Sequence, residues 1–261
     1  MRHFIIPLVV ISFCTVAMAQ DVERVLVPIY EPLPIPGAFG SLWVSDFRIL
    51  NASDDLLFID NFGTGCNFDP CPPSGLAPRA TISGAHVRNA HGGDWNPGAV
   101  LRADKQTLDR LVFQLRVRDV SRAAEGWGTW TPVIRESRAK PGPVHLLNVP
   151  VEDGYRIMLR VYSFRDSGRV TVRIFGTADG TFAYPFSPDP MLGEFQLDLQ
   201  LTGFLSDPGY GQFTGLTELV QGKGYRLVRL EIIPENGLLV WAMVSVTNNV
   251  TQQVTGVYPN E

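Results

Sequence analysis

The sequence predicts an all-β protein, and three observations carry that reading. Apolar and polar residues alternate with a period of two, as in Glu194 to Leu201, where Phe195, Leu197, Leu199 and Leu201 are interleaved with Gln196, Asp198 and Gln200; a pleated strand sends the two sets to opposite faces. Glycine and proline are abundant, 25 and 20 of 261 residues, which suits many short elements joined by turns. Helical spacing is confined to short pieces near Gln106 to Asp109 and Thr214 to Val220. With 45% hydrophobic and 18% charged residues, the chain has material for a packed core and too little charge for a disordered or coiled-coil protein.

The chain opens on what reads as an export signal. Arg2 and His3 form a short basic start, Phe4 to Val16 is almost unbroken apolar sequence, and Ala17-Met18-Ala19 offers a small-x-small cleavage site. Residues 1–19 are therefore expected to be removed, leaving Gln20 as the mature start. A membrane anchor is the rival reading, but Pro7 interrupts the stretch, and about 15 residues fall short of the roughly 20 that a spanning helix needs. A lipid anchor at Cys14 is opposed by Phe13, which stands where processing requires a small residue. The longest later apolar run, Leu238 to Val246, is strand length, so no membrane span is expected and the protein is read as secreted or periplasmic. Lys plus Arg total 22 against 26 Asp plus Glu, a net charge of -4, and losing Arg2 leaves 21 against 26, or -5. No bulk attraction to nucleic acid follows, and no nucleic-acid partner is expected.

Export agrees with cysteine use, since only Cys66 and Cys71 remain in the mature chain and an oxidising compartment would pair them. So short a loop gains about 2 kcal/mol, a local clip on a proline-rich excursion. A metal site is the alternative, but no second Cys or His pair stands at zinc spacing.

The alternating runs continue through the chain. Arg110 to Arg118 and Arg169 to Phe175 read as half-buried antiparallel strands, wet on one side. Asp166-Ser167-Gly168 separates Tyr155 to Phe164 from Arg169 to Phe175, and Glu235-Asn236-Gly237 separates Tyr225 to Ile233 from Leu238 to Thr247. Asn-Gly tolerates the positive φ of a tight hairpin, so hairpins are expected at both. Similar runs also recur in order. A strand ends in Val27-Pro28 and again in Val149-Pro150; Phe47-Arg48-Ile49-Leu50 is echoed by Leu159-Arg160-Val161-Tyr162; Leu111-Val112-Phe113 is echoed by Leu239-Val240-Trp241. Two β-sandwich domains of immunoglobulin-like size, 22–138 and 142–261, are expected, joined at Ser137 to Pro143 by a short linker holding Lys140-Pro141-Gly142-Pro143. A single fused sandwich is the alternative.

Three runs carry a resemblance: Trp241-Ala242-Met243-Val244-Ser245-Val246-Thr247-Asn248-Asn249-Val250-Thr251, Arg116-Val117-Arg118-Asp119-Val120-Ser121, and Val25-Leu26-Val27-Pro28 with Gly37-Ala38-Phe39-Gly40-Ser41-Leu42-Trp43. The chain resembles uncharacterised secreted bacterial proteins built from tandem immunoglobulin-like β-sandwich repeats. The resemblance implies a fold and a compartment but no activity.

Chemistry-bearing constellations are sparse. His86, His91 and Asp94 could bring three ligands together if their loop curled back, but the spacing matches no metal motif, and a solvated loop explains them equally. His145 starts a strand and reads as packed or surface-exposed. Gly-x-Ser-x-Gly is absent, and no serine stands out from turn serines such as Ser74 and Ser83. A two-carboxylate glycosidase would draw on Asp54, Asp55, Asp69, Asp94 or Glu125, although acids in turns are usually turn formers. Gly222-Lys223-Gly224 lacks phosphate-loop spacing, so no cofactor is expected. The sequons at Asn51 and Asn249 read as turn sequence. Aromatic residues give the best hint of binding: Trp95, Trp127 and Trp130 fall in glycine-rich stretches read as loops, where flat exposed rings stack on sugars or anchor a protein. Trp43 and Trp241, inside apolar strands, are assigned to the core.

The function expected from these features is an exported, non-enzymatic interaction or structural module of the cell envelope or extracellular space, whose partner is a protein or polysaccharide. A carbohydrate-binding module using the loop tryptophans is the first alternative, and a secreted hydrolase or metal-dependent enzyme the second.

Overall fold

The computed structural model describes residues 21–31, 33–60, 74–83, 98–122, 128–139, 141–164, 166–177, 188–201 and 208–259. The signal segment, Cys66 and Cys71, His86, His91 and Asp94, Asp69, Glu125, Trp95 and Trp127 lie outside the described residues.

The protein is all-β, with several antiparallel sheets. The first half holds β1 (Val22–Pro28), β2 (Ile35–Pro36), β3 (Leu42–Asn51), β4 (Leu57–Ile59), β5 (Ser74–Leu76), β6 (Thr81–Ser83), β7 (Gly98–Asp104), β8 (Leu111–Asp119), β9 (Thr129–Thr131) and β10 (Ile134–Arg135). The second holds β11 (Val144–Pro150), β12 (Tyr155–Ser163), β13 (Gly168–Thr177), β14 (Met191–Leu199), β15 (Gly209–Phe213), β16 (Leu227–Pro234), β17 (Val240–Asn248) and β18 (Val254–Val257). Two single-turn helices, α1 (Lys105–Asp109) and α2 (Leu216–Val220), fall where helical spacing is found in the sequence. Asp104 caps α1 by accepting from the Thr107 amide at 2.8 Å.

The sheets run β10-β1-β7 and β2-β3-β8-β9, with β6 also on β3, in the first half, beside the hairpin β4-β5. In the second they run β11-β16-β13-β14 and β15-β12-β17-β18. Pairings repeat: β1 with β7 parallels β11 with β16, and β3-β8-β9 parallels β12-β17-β18. The hairpin expectation is corrected at both turns. Asn236 and Gly237 do take positive φ, 53° and 71°, but β16 and β17 belong to different sheets, as do β12 and β13. These tight turns are arches that carry the chain from one sheet to the other, because the strands on either side of each turn pair with other strands and not with each other.

Alternation sorts the side chains into three buried clusters. One lies within the second half between its two sheets, including Leu146, Leu159, Val172, Leu230 and Val244. Another lies within the first half, where Tyr30, Phe47, Ile49, Leu101 and Leu115 pack. The third joins the halves: Leu26, Val100 and Ile134 from β1, β7 and β10 meet Tyr162, Phe164, Tyr210, Trp241 and Met243. The outer face of β12, which alternation alone leaves to water, is therefore covered at Tyr162 by the first half. Trp241 is buried as expected, but in this joining cluster. Beside it Arg24 Nε donates to Glu136 Oε2 at 2.8 Å, and its Nη1 reaches the Phe164 carbonyl across the junction.

Candidate functional site

A cleft of about 740 Å³ opens between the two halves. It arises from unequal strand lengths. On the inner face of β3, Phe47 and Ile49 are covered in the first-half core, whereas Ser45 and Trp43, further toward the strand start, line the cleft. Val117 on β8 and Thr129 and Thr131 on β9 extend that wall. The facing wall is the outer face of β12 and β17, where Arg156, Met158, Arg160, Met243 and Ser245 alternate with residues of the second-half core. The same period of two thus builds a core on one face and a binding wall on the other.

The rim is tied in two places. In one, β9 and β18 are strapped together: Tyr258 Oη donates to the Trp130 carbonyl at 3.0 Å, and Thr129 Oγ1 donates to the Val254 carbonyl. Close to Val254, Arg156 lies over Phe39, its guanidinium carbon 4.7 Å from the ring centroid, while its Nη1 and Nη2 donate to Asn249 Oδ1 at 3.1 Å and Gln252 Oε1 at 2.7 Å. Phe39 has φ 56° in the turn Ala38–Gly40, a conformation costly for a bulky residue.

Two glycines allow the close approaches that shape the walls. A Cβ on Gly37 would stand 2.5 Å from Trp43 Nε1, which donates to Ser41 Oγ at 2.9 Å. A Cβ on Gly256 would stand 2.1 Å from Tyr258 Oη.

At the floor, Arg160 Nη1 donates to Ser245 Oγ at 2.9 Å. Tyr210 donates to Gln212 Oε1 at 2.8 Å; burial pushes its phenol up to about 12 even though Arg160 is hydrogen-bonded to it. Tyr162, fully buried behind the floor, is pushed higher still by burial, and its hydroxyl finds no well-formed hydrogen bond among the described residues. Glu31 is buried in the first-half wall, while Asp153 and Glu218 are exposed at the rim.

The expected site residues fall out differently. Trp43 is corrected from core to cleft wall: it is on the inward face of β3, but the opposing sheet stops short of it. Trp130 is corrected from loop to strand β9, where it points away from the cleft and is 49% exposed. Arg116 lies 5.8 Å from its ring centroid and, with Arg118, binds Asp46 on the same outer face. Burial raises the Asp46 carboxyl, and those two guanidinium groups more than offset it, holding it low. His145 is exposed on β11. Asp54 and Asp55 pair with Arg79 and Arg110, each at 2.8 Å, as turn acids do. Asn51 is buried, its amide donating to the carbonyls of Asp55, Leu76 and Ala77. Sequence reasoning missed Arg156 and Arg160; the alternation that places them opposite Ile157 and Leu159 was the available signal.

Among the described residues no group of three or more His, Cys, Asp or Glu is placed to hold a metal ion, and no helix is long and apolar enough to cross a membrane. Compared with protein families, curated proteins and solved structures, the chain gives no match to any of them.

Proposed function

We propose that the chain is an exported, non-enzymatic interaction module: after loss of residues 1–19, two immunoglobulin-like sandwiches in tandem, 22–138 and 142–261, act at the cell envelope or outside the cell and hold a ligand between them. The tandem reading is supported by the repeated pairing of β1 with β7 and β11 with β16. The single observation that carries the binding reading is the cleft of about 740 Å³ walled by both halves, within the usual range for ligand sites. Its rim residues are engaged in holding the walls together, as a preformed receptor site requires. The test is a pull-down and a thermal-shift screen of the mature protein against small acids, polysaccharides and the parent cells' surface proteins, beside a Met158→Trp variant that fills the cleft. Binding abolished by Met158→Trp supports the reading; binding indifferent to it overturns it.

The second reading, a carbohydrate-binding module, is favoured by one observation, the half-exposed Trp130 in a cross-strand row with Arg116 and Asp46. An indole bordered by hydrogen-bonding groups is a sugar platform. Retention on insoluble polysaccharide that disappears in Trp130→Ala while folding is intact would favour this reading over the cleft.

A further inference from the structure

The cleft floor carries a cation with which no described carboxylate forms an ion pair. Arg116, Arg118, Arg169 and Arg173 also stand on sheet faces, and each has a carboxylate partner. Arg160 does not: it is half-buried, no described carboxylate forms an ion pair with it, and its partners are the neutral hydroxyls of Ser245 and Tyr210. Half-buried guanidinium with neutral partners keeps donors to spare, because the group carries five. Arg156 is different, since both its terminal nitrogens are committed at the rim.

A buried polar group stands behind that floor. The Tyr162 hydroxyl is fully buried and finds no well-formed hydrogen bond among the described residues, although the Ile29 main chain is close enough to act on it; a buried hydroxyl left unsatisfied costs about 1–3 kcal/mol. The groups acting on that hydroxyl include Arg160, Glu31 and the Ile29 main chain, and all three residues line the cleft. Around this polar floor the walls are apolar and adaptable, with Met158 and Met243 on one side and Ile29, Ile35 and Trp43 on the other.

We infer that the ligand is a small amphipathic carboxylate, its oxyanion held by Arg160 and Ser245 and its apolar body lying between Met158, Met243 and Trp43. This rests on the cleft being the binding site. The anionic end is placed at Arg160 because the acids that line the cleft, Glu31, Asp153 and Glu218, repel it everywhere else, and Arg160 is the lining cation with donors to spare. A charge-assisted, forked hydrogen bond in a partly dry cavity is the strongest anchor that this wall provides.

The test titrates the full mature chain with three eight-carbon probes, octanoate, octan-1-ol and octylammonium, by calorimetry at neutral pH. Octanoate is expected to bind roughly tenfold or more tightly than octan-1-ol, the usual worth of a hydrogen bond to a charged group. Arg160→Gln, which keeps hydrogen bonding without the charge, should erase that preference by bringing octanoate binding down to that of octan-1-ol; Arg160→Lys should keep part of it. Far-UV circular dichroism checks that each variant is folded. Octan-1-ol or octylammonium binding the wild type as tightly as octanoate overturns the inference, as does an equal loss of all three probes in Arg160→Gln. Should Met158→Trp still abolish binding in those cases, the cleft reading survives alone. If no probe binds the wild type, the carboxylate inference falls and the cleft reading rests on its own screen; if a probe binds and Met158→Trp leaves its binding unchanged, both fall together.

Discussion

The hydroxyl of Tyr258 donates to the main-chain oxygen of Trp130 at 3.0 Å, which joins the end of the second half to β9 of the first. It is a rim strap of the cleft, so Tyr258→Phe is expected to cost about 1 kcal/mol in urea unfolding and to speed amide exchange in β9 and β18. Unchanged exchange in those two strands would show that the strap is idle.

The Gly256 backbone runs so close to that phenol that any side chain displaces it. Gly256→Ala should therefore reproduce the exchange phenotype of Tyr258→Phe and also weaken cleft ligands. The two substitutions together should be less than additive, because they break one contact.

Glu23 gives the junction a pH dependence. Its side chain is 2% exposed; burial raises its pKa, but hydrogen bonds from Arg135 at 3.0 Å and the Ser137 amide at 2.9 Å more than offset this, and the folded value is lowered. A carboxylate held low stabilises the fold above its unfolded pKa, and that stabilisation is lost as pH falls through the folded value. Glu23→Gln should lose about 1–3 kcal/mol at neutral pH, and its stability should fall less steeply than the wild type's below about pH 5. Parallel pH profiles would refute the assignment.

Asn51 holds the turn after β3 through three carbonyls, while its Oδ1 accepts from Ser53 N and Oγ at 2.9 and 2.8 Å. Asn51→Ala leaves those buried groups unsatisfied and should destabilise by about 2–4 kcal/mol in denaturant unfolding. With its amide buried and fully spent, Asn51 is expected to carry no glycan when the protein is expressed in a glycosylating host and examined by mass spectrometry.

Local features of the fold were legible in the residues. Alternation located β8, β12, β13, β14, β16 and β17 within a few positions, and Asn236-Gly237 adopts the backbone its chemistry favours. The partner of each strand was not legible there, because a turn is determined by four residues while pairing is determined by chains of contacts many tens of residues apart. Hence an arch stands where a hairpin was expected. The two corrections at tryptophan have the same origin: Trp43 does face inward, and only the length of the opposing sheet decides that it meets a cleft. Trp130 alternates with Thr129 and Thr131, a strand pattern too short to distinguish from a loop.

What the sequence alone determined was which side chains share a face, since that follows from the two-residue repeat of an extended backbone. Tertiary structure decided what covers each face. Arg160 and Tyr162 lie on one side of β12, yet Tyr162 is sealed by Leu26, Val100 and their neighbours while Arg160 looks into open space. That difference depends on where the first half ends against the second, a geometric relation between distant segments that no local pattern encodes.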